Sequence, residues 1–366
     1  MSSKLFLGQA SNYKASDILR HTFAFGSRKW SDMLMKYLKK RYKAKSVYLM
    51  DNGRSAIAAG LKTLFPDGGG EVIINGFTCY AVVQAVEAAG MKPAYADINE
   101  KTLNFDVKTL EKALKAHPGA RAIIIQNTLG ITVNIEEIEN FAKRHGLKLV
   151  EDLAHATGFK YLDGREVGSV GDIAALSFGK GKSLDAITGG ALIINTDAKF
   201  KFENRHPKLS DTLRARWYPI FGAIGRGFSK IHLEKYWYGP LIKLHFIERA
   251  VDAKLDLTRR PAHWQSKLIL KQFEKIDREG ALPIRTHRLV KNRKKLVERL
   301  DQNGYNFREI WYDVPVSPVR YYKEIGFPEK ECPVATRVAS EIINLPTYYP
   351  PDKLEGALKI IEEYER

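Results

Sequence analysis

The chain has 366 residues, 44% of them hydrophobic, with a formal net charge of +17. That is material for a sizeable core, arranged as two domains or as one large domain with an appendage. The polar N-terminus has no apolar stretch of signal length, and no uncharged apolar run nears the ~20 residues of a membrane span. The two cysteines, Cys79 and Cys332, make neither a disulfide framework nor a metal motif. The expectation is a cytoplasmic, reduced protein without a metal.

Charge is unevenly placed. Residues 51–200 carry 16 Lys/Arg against 18 Asp/Glu, whereas residues 1–50 carry 11 against 2 and residues 201–300 carry 24 against 10. A positive field therefore flanks a near-neutral core, and such a field attracts polyanions when it is more than a solvated surface.

In chain order, the first chemical signal is Asp51-Asn52-Gly53-Arg54-Ser55, ahead of an Ala-rich helix near 54–64. A helix N-terminus beside a glycine offers backbone N–H groups and a positive dipole end to a phosphate. Short apolar runs at 71–75, 92–97, 121–126, 147–152, 173–178 and 190–195 read as buried strands. Helix-like stretches near 79–89, 106–116 and 135–145 alternate with them, the first between Thr78 and Gly90 and the last closing at Gly146. This alternation predicts an α/β fold: a mostly parallel sheet flanked by helices on both faces.

Ligands in such sheets lie beyond the carboxyl ends of the strands. Asp152 closes one strand, where a carboxylate can hold a pyridinium nitrogen protonated. Asp172 precedes its strand and so takes a structural role. Ser177 opens the loop Ser177-Phe178-Gly179-Lys180-Gly181-Lys182-Ser183. Its hydroxyl can bond a phosphate, and either lysine can form a Schiff base with an aldehyde cofactor. The residues alone do not choose between Lys180 and Lys182.

Residues 213–247 mix Trp217, Tyr218, Phe221, Phe228, Tyr236, Trp237, Tyr238 and Phe246 with Arg214, Arg216, Arg226, Lys230, Lys235 and Lys243. The preferred reading is packing, over the sheet or at a dimer interface. An anionic membrane surface ranks second, and nucleic acid last for want of a recognition motif. Residues 262–300 read as long charged helix broken near Gly280 and Pro283. The tail mixes strand-like pieces at 305–310 and 342–345 with a final amphipathic helix from Pro351. The expected division is a large domain at 1–255 and a smaller α+β domain at 256–366.

Taken together, the phosphate cup, the segment Phe77-Thr78-Cys79-Tyr80, the strand-end acid and the serine-then-lysine loop resemble the DegT-type sugar aminotransferases. These are fold-type-I enzymes dependent on pyridoxal 5'-phosphate (PLP). The resemblance runs from Asn52 to Thr196 and returns at 332–350. It implies PLP held on Lys182, the lysine four residues after the Phe of the Ser-Phe pair. It implies Asp152 at the pyridine nitrogen, Gly53, Arg54 and Ser177 at the phosphate, and His155 near the ring where the family usually has Gln. The family places a large aromatic at the position of Cys79; here either Tyr80 stacks on the ring or Cys79 packs against it. The Glu of the family's Gly-Glu-Gly-Gly is absent from Ile187-Thr188-Gly189-Gly190, and Asn127 stands where a His is frequent. The implied function is transfer of an amino group, from glutamate, to a nucleotide-linked keto sugar, by a homodimer. The alternatives are a PLP enzyme of another reaction type or with a lipid-linked substrate, and a PLP-binding regulatory or membrane-surface protein without turnover.

Overall fold

The computed structural model describes residues 5–6, 15–201, 203–230, 233–244, 246–247, 251–252, 255–307 and 310–366. Seven strands form the central sheet: β1 (Ser46–Met50), β2 (Glu71–Asn75), β3 (Lys92–Ala96), β4 (Ala120–Ile125), β5 (Lys148–Asp152), β6 (Ile173–Ser177) and β7 (Gly190–Ile194). Their spatial order is β1-β7-β6-β5-β4-β2-β3. Neighbours from β6 to β3 are parallel, and β7 runs antiparallel to both β6 and β1. The six apolar runs expected as strands are all strands. The edge strand β1 was not among those runs.

Strand alternation divides the core into two faces. Val72, Ile74, Ala122, Ile124 and Val150 face one cluster with Ala56 and Ile57 of α3 (Gly53–Leu64) and Val83 of α4 (Tyr80–Ala88). Ile73, Ile123, Ile125, Leu149 and Leu176 face the other. There they meet Leu34 and Leu38 of α2 (Arg28–Arg41), Leu110 of α5 (Val107–Ala116) and Phe141 of α6 (Ile135–His145). Helices thus cover both faces, as the alternation predicts.

Local caps follow the sequence. Asn52 caps α3, its Oδ1 accepting from the Ser55 amide at 2.8 Å. Gly146 ends α6 at φ 64°, where a left-handed residue is needed. Thr78 does not cap α4. Its hydroxyl instead donates to Gln126 Oε1, and Cys79 takes the cap position.

Beyond residue 200, α7 (Leu209–Lys230) and α8 (Glu234–Lys243) pack on each other, and α7 packs on α1 (Ala15–Thr22). The stretch 262–300, expected as broken helix, is α9 (His263–Glu279), then a strand at Arg285–Leu289 that pairs with Ile342–Pro346, then a helix at Arg293–Gln302. Leu270 and Phe273 of α9 join the cluster that holds Leu34 and Leu38. A separate core of Val290, Leu296, Leu300, Phe307, Ile343, Leu345 and Ile361 surrounds the antiparallel pair Arg285–Leu289 and Ile342–Pro346. The strand-like piece at 305–310 is a strand over Tyr305–Asn306, and residues 308–309 lie outside the described residues.

Candidate active site

The carboxyl ends of β1, β2, β4, β5 and β6 share one edge of the sheet. β7 makes the approach tight, since its first residue Gly190 lies opposite both Met50 and Ser177. A side chain at Gly190 would come within 2.6 Å of the Asn52 backbone. A Cβ on Gly53 would meet Ser177 Cβ at 2.8 Å, so only glycine lets the start of α3 lie against the serine. With Asn52 capping Ser55, the amides of Gly53 and Arg54 fall in the first turn, where the helix has no carbonyl for them. Glycine amide, arginine amide and serine hydroxyl are therefore gathered in one corner.

The loop before α3 is pinned. Arg259 grips Asp51 with two bonds, Nε to Oδ1 at 2.7 Å and Nη2 to Oδ2 at 2.8 Å, and reaches Asp211 at 2.7 Å with Nη1. The Arg54 side chain turns away from the corner, donating to Gln84 Oε1 and to the Val251 carbonyl. It helps line a cavity of about 400 Å³ with Tyr80, Gln84, Glu87 and Asp252.

Lys182 and Asp152 are both within electrostatic reach of Cys79 and of each other. Burial pushes the Lys182 ammonium below its usual value, against the pull of Cys79 and Asp152. Burial likewise raises the Asp152 carboxyl, while the Ala154 amide, 2.9 Å from Oδ1, and the Lys182 charge hold it down. A lysine that gives up its proton readily, next to a strand-end acid, suits nucleophilic and proton-transfer chemistry. Lys180 points elsewhere, its Nζ 4.2 Å above the Tyr218 ring of α7. The structure thus separates the two lysines that the loop left as rivals.

Of the two residues expected to compete for the ring position, Cys79 faces Lys182 and Asp152. Tyr80 stacks on Tyr321 with centroids 4.3 Å apart. His155 is buried, and burial together with the charges of Lys182 and Arg285 holds it neutral, well below the usual histidine value. Its Nδ1 accepts from the Leu129 amide at 3.2 Å, which assigns the proton to Nε2. Asn127 takes a structural part, joining Tyr161 Oη at 3.2 Å and the Val133 amide at 3.0 Å. Asp172 also proves structural, accepting from the Leu149 amide and from Lys148 Nζ, each at 2.9 Å.

Three site neighbours escaped sequence reasoning. Trp311 lies beneath Lys182 Nζ at 5.1 Å and the Arg285 guanidinium at 4.5 Å, and it stacks with His155 at 5.5 Å. Tyr312 packs on Phe77 at 4.6 Å. Arg285, fully buried, brings a cation near Lys182 and His155. All three come from the C-terminal part, which reaches the site where Val316–Ser317 pairs in parallel with Thr78–Cys79. The adjacent aromatics Trp311 and Tyr312 were the one trace in the sequence, and nothing local ties them to a loop more than a hundred residues earlier.

Among known proteins, the profile of the DegT/DnrJ/EryC1/StrS aminotransferase family matches residues 16–205. The pleiotropic regulatory protein of Geobacillus stearothermophilus is 28% identical over 85% of this chain and 82% of its own. A dTDP-3-amino-3,4,6-trideoxy-alpha-D-glucose transaminase of Micromonospora megalomicea subsp. nigra is 27% identical over 86% and 84%. The crystal structure of a DegT DnrJ EryC1 StrS aminotransferase from Brucella abortus superposes with a TM-score of 0.66, at 20% identity, over 95% of this chain and 93% of that one. That last likeness speaks for the fold.

Proposed function

Because the chain belongs to the DegT/DnrJ/EryC1/StrS aminotransferase family, we propose that it is a PLP-dependent aminotransferase whose acceptor is a nucleotide-linked keto sugar. The observation that carries the reading is the half-buried Lys182 within electrostatic reach of Asp152 and Cys79, at the strand edge that also gathers Gly53, Arg54 and Ser177. The transaminase relative from Micromonospora acts on a dTDP-linked sugar by its name, and a Caulobacter vibrioides relative, 25% identical, is named a GDP-perosamine synthase.

The residues present fit PLP. A phosphate needs the corner that Gly53 leaves open and the donors around it. Lys182 would hold the aldehyde carbon, Asp152 would face the pyridine nitrogen, and Cys79 would pack against the ring. Bound there, the cofactor supplies an electron sink that lets the C–H bond beside the substrate nitrogen ionise. Lys182, its proton affinity lowered by desolvation, would take up and return that proton through Nζ. Asp152 would keep the pyridine nitrogen protonated. His155, a neutral Nε2–H donor, offers one hydrogen bond where the family has an amide.

The test is an absorbance spectrum of the purified protein, of Lys182→Ala and of Lys180→Ala, with glutamate then added. A visible band in wild type and Lys180→Ala, absent from Lys182→Ala and bleached by glutamate, is expected. A wild type with no band after PLP is supplied overturns the reading. A band that no amino donor bleaches favours a second reading, a PLP-binding regulator, which the name of the Geobacillus relative supports. The reading includes a homodimer in the cytoplasm, tested by sedimentation of the loaded protein and by cell fractionation. It also places the domain division after Glu279 in preference to 255, since α9 packs in the cluster of α2.

A further inference from the structure

The helix pair α7–α8 has its polarity reversed. On α7 the outward face carries Leu209, Leu213, Trp217 and Ile224, spaced by four, four and seven residues, which is one stripe of a helix. The inward face carries the small residues Ala215, Pro219 and Gly225. Trp217 is 47% exposed and Leu213 45%. On and after α8, Tyr236, Leu244 and Phe246 are exposed as well. The pair holds together through its own aromatics: Phe228 stacks on Trp237 at 5.4 Å, and Trp237 Nε1 donates to the Phe221 carbonyl at 2.9 Å. Phe221 also meets the exposed rings of Trp217 at 6.5 Å and Phe246 at 6.1 Å, so these two share in the pair's packing while still presenting much of their surface outward. Of the expected packing, α7 lies on α1 and α8, and Ala215 and Tyr218 join Ile187, Ala262, Trp264 and Leu268 in a small cluster.

The charges around the stripe are of one sign. Lys208, just before α7, and Lys235 and Lys243 of α8 are exposed, and Asp211 is already held by Arg259. The side chains of Arg226, Lys230 and Glu234 lie outside the described residues. Residues 209–243 carry six Lys/Arg against two Asp/Glu in sequence. No helix among the described residues is long and apolar enough to cross a membrane.

We propose that α7–α8 seats the protein on an anionic bilayer surface, with Leu209, Leu213, Trp217 and Ile224 below the headgroups and Lys208, Lys235 and Lys243 among them. An outward apolar stripe flanked by cations matches such an interface in both hydrophobicity and charge. A second copy of the same face fits less well, because two-fold pairing sets its lysines against each other. Tyr218, on the inner side of α7, lies against Lys180 in the site loop, so the seated helix borders the reaction centre. The proposal is independent of the reaction the site performs.

Flotation of the full-length, PLP-supplied protein with phosphatidylcholine–phosphatidylglycerol vesicles, against pure phosphatidylcholine, tests it. Wild type is expected to float with the anionic vesicles at moderate salt. Leu213→Ser/Trp217→Ser should lose at least about tenfold in partitioning, and Lys235→Glu and Lys243→Glu about fivefold each. A second readout does not depend on the double variant folding. Brominated acyl chains should quench wild-type tryptophan fluorescence, and Trp217→Phe should float as wild type while losing that quenching. No flotation of wild type, quenching unchanged in Trp217→Phe, or a double variant that floats normally but halves in mass overturns the proposal. The last outcome would make the face a contact between two copies.

Discussion

Residues 46–200 and the α7–α8 pair follow opposite rules. In the sheet region apolar side chains turn inward on both faces, charges nearly balance, and the functional polar groups collect where the strands end. In the helix pair a stripe of large apolar groups, Leu209, Leu213, Trp217 and Ile224, turns outward, and the charge is positive. The family profile stops at residue 205, before α7 begins. One region is built to close around a small ligand. The other is left incomplete until something covers it.

The sharpest way to break this comparison is at the lysine loop. Lys182→Ala should lower amino transfer on the order of 10⁴-fold, and Lys180→Ala should stay near wild type, as steady-state rates would register. Equal losses would mean that the contact of Lys180 with Tyr218 makes α7 part of the catalytic region. Asp152→Asn comes next, with an expected loss of about 10²- to 10³-fold in turnover and a retained visible band.

Its neighbour Glu151 should behave differently. It points to the other face of β5 and accepts from Tyr161 Oη at 2.7 Å, the Gly168 amide at 2.6 Å and the Val170 amide at 2.8 Å. Glu151→Gln sets a donor against these donors and should cost about 1–3 kcal/mol, read from urea unfolding. Asp152→Asn should leave the unfolding midpoint less changed. Two adjacent carboxylates thus separate chemistry from structure within one strand.

Smaller effects follow from groups whose proton affinity the fold lowers. The folded state lowers the proton affinity of His155, so acid favours the unfolded chain, which takes up the proton first. Stability present above the unfolded value, about 6.5, should fall as pH drops below it. His155→Gln should lessen that fall while keeping activity, which thermal melts across pH would show. For Lys182 the sign is the same, but the pH window lies higher. The penalty for burying its ammonium is full below the lowered value and vanishes above the unfolded value of 10.5. The cofactor-free Lys182→Met variant should therefore gain stability at neutral pH and lose that gain as pH rises.

The sequence by itself determined the alternating strands, the helix start after Asp51-Asn52, the close of α6 at Gly146, and the strand-end positions of Asp152 and Ser177. These are local: short apolar runs, helix-end chemistry and glycine conformation act over a few residues. Choosing Lys182 over Lys180 already needed the family resemblance, because two lysines two residues apart in one loop look alike to local rules. Only the tertiary structure brought Trp311, Tyr312 and Arg285 to the site, since their approach depends on Val316–Ser317 pairing with Thr78–Cys79 more than two hundred residues away. It also decided that β1 forms an edge and that the apolar residues of α7 face outward. Composition records that a helix is apolar and basic, but only its packing partners decide which side is left to meet a surface.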